Sequence, residues 1–449
     1  MQLDQSGLLS HFLHSNPGIR KIRYQTKTYG NVTLDRFLTV ARARQMAAES
    51  TIQGQAINVV CQTLRNFATT GHMDMDFEAG DDLWVPDYTT IKRCALYKDY
   101  ASCMVNVIET QYINSSTPFA LCPISTLRKA QEEAKAKGYN LLMGSEIEFY
   151  FLTDPDAEEV VPVTGSPLYN TAASRHPVFK VVDEAVDVLE ANGLAVWGYH
   201  QEGASSKYEI SLGPADPVTT IDNMIYASEV IKDLAYKHGY HVTMHPHAFP
   251  GKWPTAGQHW HVSVDKEGSK PGDAFLAGLL DHFPSVSAFL RGGYDSYQEG
   301  RRFWYGGGPV MWSLGNAAPI RRFGDSHFEA RVGDALSNPY LQAAAIIAAG
   351  MDGIHSQMPL TMGPCEGRLG AGGSAAERDQ KLKTLGVTKT LPETLAAAVK
   401  DLKGDNGAWL TYSFGQPLLN AYFKVKEDEA KNSGSMEEAV RRQAILRHI

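Results

Sequence analysis

The chain has 449 residues, 43% of them hydrophobic and 20% charged, which supplies a sizeable core and length for roughly two or three domains. A formal net charge of -8 at pH 7 excludes a strongly basic footprint for nucleic acid or an anionic membrane surface. Residues 1–24 hold no continuous apolar stretch, and the later apolar run from Tyr340 to Met351 is too short to cross a bilayer, so a cytoplasmic protein is expected.

In chain order, Ile22 to Lys27 reads as a strand, Tyr29-Gly30-Asn31 as a turn, and Leu34 to Ala48 as a helical run, together a small α+β module over about residues 20–117. Polar and breaker residues cluster at Asn114-Ser115-Ser116-Thr117-Pro118, which places a boundary between residues 1–117 and 118–449. A helix from Ser125 to Lys137 follows, closed by Gly138, and then an apolar strand from Leu141 to Tyr150. Phe179 to Asn192 and Asp222 to His238 read as helices stopped by Gly193 and Gly239, the second leading into the strand Tyr240 to Met244. Gly367 to Ala376 is rich in glycine and reads as a surface loop; no strand precedes it and no Lys-Ser/Thr pair follows, so it is not a phosphate loop. The cysteines Cys61, Cys94, Cys103, Cys122 and Cys365 lack C-x-x-C spacing and read as free thiols.

The strands carry the chemistry. Glu146 and Glu148 stand two apart on the apolar strand, hence on one face, and burying two carboxylates unpaired would cost several kcal/mol, so they call for metal ions, arginines or water. Glu202 follows in His200-Gln201-Glu202-Gly203, and Glu209 in Lys207-Tyr208-Glu209-Ile210-Ser211. His259-Trp260-His261-Val262-Ser263 sets two imidazoles and a hydroxyl at alternate positions of one strand face. Glu329 and Arg331 share a face in Phe328-Glu329-Ala330-Arg331, after Arg321-Arg322 and Arg301-Arg302. Glutamate oxygens with a histidine suit Mg²⁺ or Mn²⁺ better than structural zinc, and such ions with arginines are the recurring equipment of phosphoryl transfer.

Taken in order, the E-x-E strand, the H-x-E and Y-E-I pair, the H-x-H-x-S strand and the E-x-R strand before Asn338-Pro339-Tyr340 resemble the glutamine synthetase family, over nearly all of residues 20–449. The resemblance, of the gamma-glutamyl-amine ligase type, implies an α+β fold: an N-terminal β-grasp domain in residues 1–117 and a large catalytic α/β domain in residues 118–449. It implies an ATP-dependent C–N ligase that makes an amide through an acyl phosphate, with two or more Mg²⁺ or Mn²⁺ ions per site and ATP as co-substrate. Glu148, Glu202 and Glu209 would then hold the metal nearer the acyl group, and Glu146, His259 and Glu329 the one nearer the phosphates. His261, Ser263 and His327 match nucleotide contacts. Arg321 matches an arginine on the transferring phosphate, Arg331 one beside the reacting carboxylate, and Arg301, with Arg302 adjacent, the arginine on the substrate's α-carboxylate. The family assembles as stacked hexameric rings, a dodecamer, each site shared with a neighbour's N-terminal domain.

The departures from that pattern lie on the substrate side. A flap glutamate aligns with Gly307, an Asn-Gly pair with Pro254-Thr255, and two phosphate-side arginines with Asn316 and His327; an ammonium-binding aspartate has only Asp74 and Asp76 as neighbours. Glycines in the flap open space for an amine larger than ammonia, so gamma-glutamylation of an organic amine is the expected reaction. Alternatives from the residues are a carboxylate kinase, a non-catalytic ring-forming homologue, or a zinc hydrolase built on His241, His245, His247, His259 and His261.

Overall fold

In the computed structural model, residues 4–59, 63–69, 81–154, 162–165, 169–249, 255–297, 308–315, 318–365, 374–404 and 408–449 are described. Strand β1 (Lys21–Lys27) buries Ile22 and Tyr24, and a turn with Asn31 at φ 60° folds the chain back into β2 (Thr33–Thr39). The helix expected over Leu34 to Ala48 is therefore half strand, with the helix confined to Val40–Ala47. Leu34 and Leu38 imitate a helical stripe, but antiparallel pairing from Lys27↔Thr33 to Lys21↔Thr39 captures the segment, and the Thr39 hydroxyl caps the helix by accepting from Arg42 N at 3.3 Å. With β3 (Ile57–Val59), β4 (Asp82–Pro86), β5 (Lys92–Arg93) and β6 (Tyr100–Glu109), these strands form a mixed sheet of order β2-β1-β6-β4-β3, with β5 also on β6.

The second sheet is built around the long central β7 (Asn140–Leu152). It takes in β8 (Val196–Gln201), β9 (Lys207–Ala215), β10 (His241–Thr243) and β11 (Gln258–Asp265). Past the short β12 (Gly308–Pro309), it adds β13 (Trp312–Ser313), β14 (Ile320–Phe323) and β15 (His327–Ala330). The order is β13-β14-β15-β11-β7-β9-β8, with β10 also on β7, while β12 pairs with β16 (Thr390–Leu391). All pairings in the large sheet are antiparallel except β13 with β14. The fold is thus α+β, as the resemblance implied.

Helices pack on the sheets where the apolar periodicity placed them: Pro123–Ala136, Pro177–Ala191 and Pro217–Lys237, each opened by a proline, whose missing N–H is no loss in a first turn. The expected stops hold, with Gly138, Gly193 and Gly239 at φ +81°, +82° and +77°. Helices Gly272–Leu290 and Pro339–His355 cross at Gly278 and Gly353, where a methyl on Gly278 would sit 2.4 Å from Ala349 O. The apolar run Tyr340 to Met351 is the buried body of the second of these, and among the described residues no helix is long and apolar enough to cross a membrane. Of Gly367 to Ala376, residues 367–373 lie outside the described residues, and Ser374 caps a helix, Ala375–Thr384, rather than continuing a loop.

One contiguous core runs through both sheets, from Ile22 and Tyr24 to Phe149 and Trp260. Asn338 ties them with hydrogen bonds: its side-chain amide donates to Lys27 O and Thr28 O at 3.2 and 3.0 Å while its oxygen accepts from Tyr340 N and Leu341 N. Behind β11, the buried Trp260 donates to Gln342 Oε1 at 2.6 Å, and Phe328 of β15 stacks on Phe275, fixing the strands that carry the polar face.

Candidate active site on the large sheet

Antiparallel register brings the candidate residues together, because directly opposed residues share a face of the sheet. On β7, Glu146 stands opposite His259 of β11 and Ser211 of β9, and Glu148 opposite Glu209. Glu209 is in turn opposite His200 of β8. His261 faces Glu329 of β15, Ser263 faces His327, and Arg321 of β14 faces Glu329.

Two clusters result. In the first, His259 Nδ1 lies 2.7 Å from Glu146 Oε2 and 3.5 Å from Glu329 Oε1, and His261 Nε2 lies 3.1 Å from Glu146 Oε1. Ligand atoms of Glu146, His261 and Glu329 all fall within 4.8 Å of one another, so His261 sits beside the expected set of Glu146, His259 and Glu329. The second brings His200, Glu202 and Glu209 within the same limit, with His200 Nε2 2.9 Å from Glu202 Oε2. Glu148, expected with Glu202 and Glu209, is otherwise engaged: its Oε2 accepts from Gly257 N at 2.5 Å and lies 2.5 Å from Lys207 Nζ.

Cations line the far side of the first cluster. Arg331 donates to Glu329 Oε1 at 2.5 Å, and Arg321 stands 3.7 Å from Glu329 Oε2 with its guanidinium 4.1 Å from the Phe323 ring centre. Phe323 stacks on His327, whose Nε2 lies 3.0 Å from His261 Nδ1. Arg301, Arg302, Gly307, Asn316, Pro254, Asp74 and Asp76 lie outside the described residues. Thr255 is buried, with its carbonyl accepting from Lys207.

The electrostatics differ from one carboxylate to the next. Burial, then the neighbouring charges of Glu146 and Glu148, push the Glu209 carboxyl up to about 7. Burial also works against ionised Glu146, but hydrogen bonds from His259 and His261 overcome it and hold that carboxyl well below the usual range. Glu202 is likewise held down against burial by its bond to His200, whose imidazole is raised by the same contact. His259 is raised despite burial and the charge of Arg331, because Glu146 and Glu148 favour its cation, whereas burial and then His261 lower His327.

These residues fit divalent metal. His259 Nε2 and Glu329 Oε2 are buried with no hydrogen-bond partner, and such atoms are rare unless something else fills them. In the neutral ring, with Nδ1 donating to a carboxylate that can only accept, Nε2 keeps its lone pair, and it faces Gly257, where a methyl would stand 2.7 Å away. Oxygen donors with imidazole are the chemistry of Mg²⁺ and Mn²⁺ sites. Of the zinc alternative's histidines, His259 and His261 meet at Glu146 while the other three are engaged elsewhere: His241 pairs at the sheet edge, His245 lies 3.4 Å from Asp295 Oδ2, and His245 Nδ1 accepts from His247 N.

His200 and Lys207 carry no role in the motifs, yet each has a sequence signal: Lys207 and Glu209 stand two apart on β9 and so share a face, and His200 lies near the end of β8, two residues before Glu202.

The model of the glutamine synthetase catalytic domain matches residues 120–444, which include every residue of both clusters. The chain belongs to the glutamine synthetase family. It is 30% identical over 346 residues to glutamine synthetase of Thermotoga maritima, covering 72% of this chain and 76% of that protein. It is 28% identical over 454 residues to Protein fluG of Emericella nidulans, covering 99% of this chain but spanning only 50% of that longer protein. Gamma-glutamylpolyamine synthetase GlnA3 of Streptomyces coelicolor is 26% identical over 384 residues, 80% of this chain and 78% of that protein. The solved structure titled GmaS/ADP complex-Conformation 1 superposes with a TM-score of 0.77 at 21% identity, covering 96% of this chain and 97% of that one, so the two share a fold over that span.

Proposed function

We propose that this glutamine synthetase family member is an ATP-dependent carboxylate–amine ligase, joining glutamate through its side-chain carboxylate to an organic amine by way of an acyl phosphate. The observation that carries the reading is the pair of acid–histidine clusters on the large sheet, the first of them paired through Glu329 with Arg321 and Arg331. In this reading Glu146, His259, His261 and Glu329 hold the ion on the phosphate side, and His200, Glu202 and Glu209 the ion on the acyl side. Mg²⁺ or Mn²⁺ bound there supplies positive charge to phosphate and carboxylate oxygens. Arg321 neutralises the transferring phosphoryl group, and Arg331, held by Glu329, orients the donor carboxylate. His261, Ser263 and His327 face the nucleotide.

The carboxylate needs activation because its oxygen will not leave as oxide. Its attack on the γ-phosphorus breaks the bond to ADP; the amine then attacks the carbonyl, and the carbon–oxygen bond to phosphate breaks as the amide forms. The organic amine rests on the glycines of the flap segment and is supported by the name of the Streptomyces relative. The same reading extends to a cytoplasmic homo-oligomer of hexameric rings, divided into domains at 117/118, which sedimentation and limited proteolysis would test.

The direct test measures phosphate release from ATP with Mg²⁺ or Mn²⁺ across a grid of carboxylates and amines, with Glu329→Ala as control and mass spectrometry of products. Release that needs both substrates, an amide product, and loss of both in the variant are expected. Release with acid alone would replace the ligase by a carboxylate kinase, and silence with ATP still bound would point to a ring-forming structural role.

A further inference from the structure

Lys207 opens β9 at 1% exposure, where an uncompensated ammonium would be costly. Its Nζ lies 2.5 Å from Glu148 Oε2 and donates to Thr255 O at 2.8 Å. Glu148 is 3% exposed, and the same oxygen accepts from Gly257 N. A carboxylate that receives both a backbone N–H and a buried ammonium is already neutralised, whereas His200, Glu202 and Glu209 gather ligand atoms without it. A divalent ion drawn to Glu148 Oε2 would have to displace the ammonium or lie against it, and like charges at such range in a buried site repel strongly.

We propose that Lys207 is a built-in cation that permanently neutralises Glu148, excludes divalent metal from that carboxylate and confines the acyl-side ion to His200, Glu202 and Glu209. Lys207 is thus a positioning residue, fixing where metal binds without touching substrate. The proposal rests on the metal-dependent reading above, and its test needs neither ATP nor turnover.

Mn²⁺ binding to the full chain is measured by electron paramagnetic resonance titration for wild type, Lys207→Gln, Glu202→Gln and the double variant Glu148→Gln/Lys207→Gln. Glutamine at 207 can still donate to Thr255 O. Lys207→Gln is expected to bind Mn²⁺ about tenfold more tightly, or with an added equivalent, because Glu148 becomes a free ligand beside the cluster. The double variant removes a neutral pair and is expected within about threefold of wild type, while Glu202→Gln weakens binding more than about tenfold. A folded Lys207→Gln that binds as wild type or more weakly overturns the proposal. So does a double variant that loses as much as Glu202→Gln, since Glu148 would then be a ligand. Should Lys207→Gln not fold, the double variant decides alone. Wild type that binds no Mn²⁺ would overturn the metal reading itself, an outcome distinct from variants that fail to follow the pattern.

Discussion

Gly257→Ala is the smallest change that bears on His259 as a ligand. A methyl at residue 257 would stand 2.7 Å from His259 Nε2, 3.2 Å from its Cδ2 and 3.5 Å from Glu148 Oε2. Carbon contacts become comfortable at about 3.5 Å, so the ring must retreat by about 0.8 Å. It has nowhere easy to go: the residue is 3% exposed and its Nδ1 is held 2.7 Å from Glu146. Overpacking of this kind costs about 1–3 kcal/mol, and the methyl also occupies the side on which Nε2 offers its lone pair. Blocking that nitrogen or breaking its bond to Glu146 should lower Mn²⁺ affinity by about 10–100-fold. Mn²⁺ titration and thermal unfolding of wild type and variant, side by side, measure both effects. A variant that binds Mn²⁺ as wild type does and melts at the same temperature would show that the Nε2 side of His259 is not where metal sits.

Lys27 is buried, and burial followed by the charge of Lys232 pushes its ammonium down to about 7, with Glu229 opposing. The unfolded lysine titrates near 10.4, so between about pH 7 and 10 the unfolded chain holds more protons and folding stability rises with pH. Lys27→Met removes that burden while losing a hydrogen bond to Asn31 O and the attraction of Glu229, so it should stabilise by about 2–4 kcal/mol at pH 7 and not at all near pH 10; equal destabilisation in melts at both pH values would refute this. Asn338→Ala deletes a helix cap and strips the donor from two carbonyls of the N-terminal sheet, for an expected loss of about 2–3 kcal/mol in denaturant titration. Asn338→Asp should recover the cap alone, and a silent Asn338→Ala would mean the two sheets do not depend on this tie.

Local order was legible in the chain because it depends on near neighbours. Helices that begin at proline and end at Gly138, Gly193 and Gly239 could be read from residues a few positions apart, as could the strand faces that pair Glu146 with Glu148 and His259 with His261. Where a local pattern competed with a distant partner, the partner won: Leu34 and Leu38 read as helix, yet β1 claimed them as strand. The family resemblance groups Glu146 with His259 and Glu329, and Glu202 with Glu209, but spacing alone does not bring His261 and His200 into those clusters. Spacing within a strand says which side chains share a face, but the register between strands sets His261 against Glu329 and His200 against Glu209. Only the tertiary structure shows Lys207 meeting Glu148, because that contact depends on side-chain direction across β7 and β9 and on a loop more than a hundred residues away that brings Gly257 N to the same oxygen.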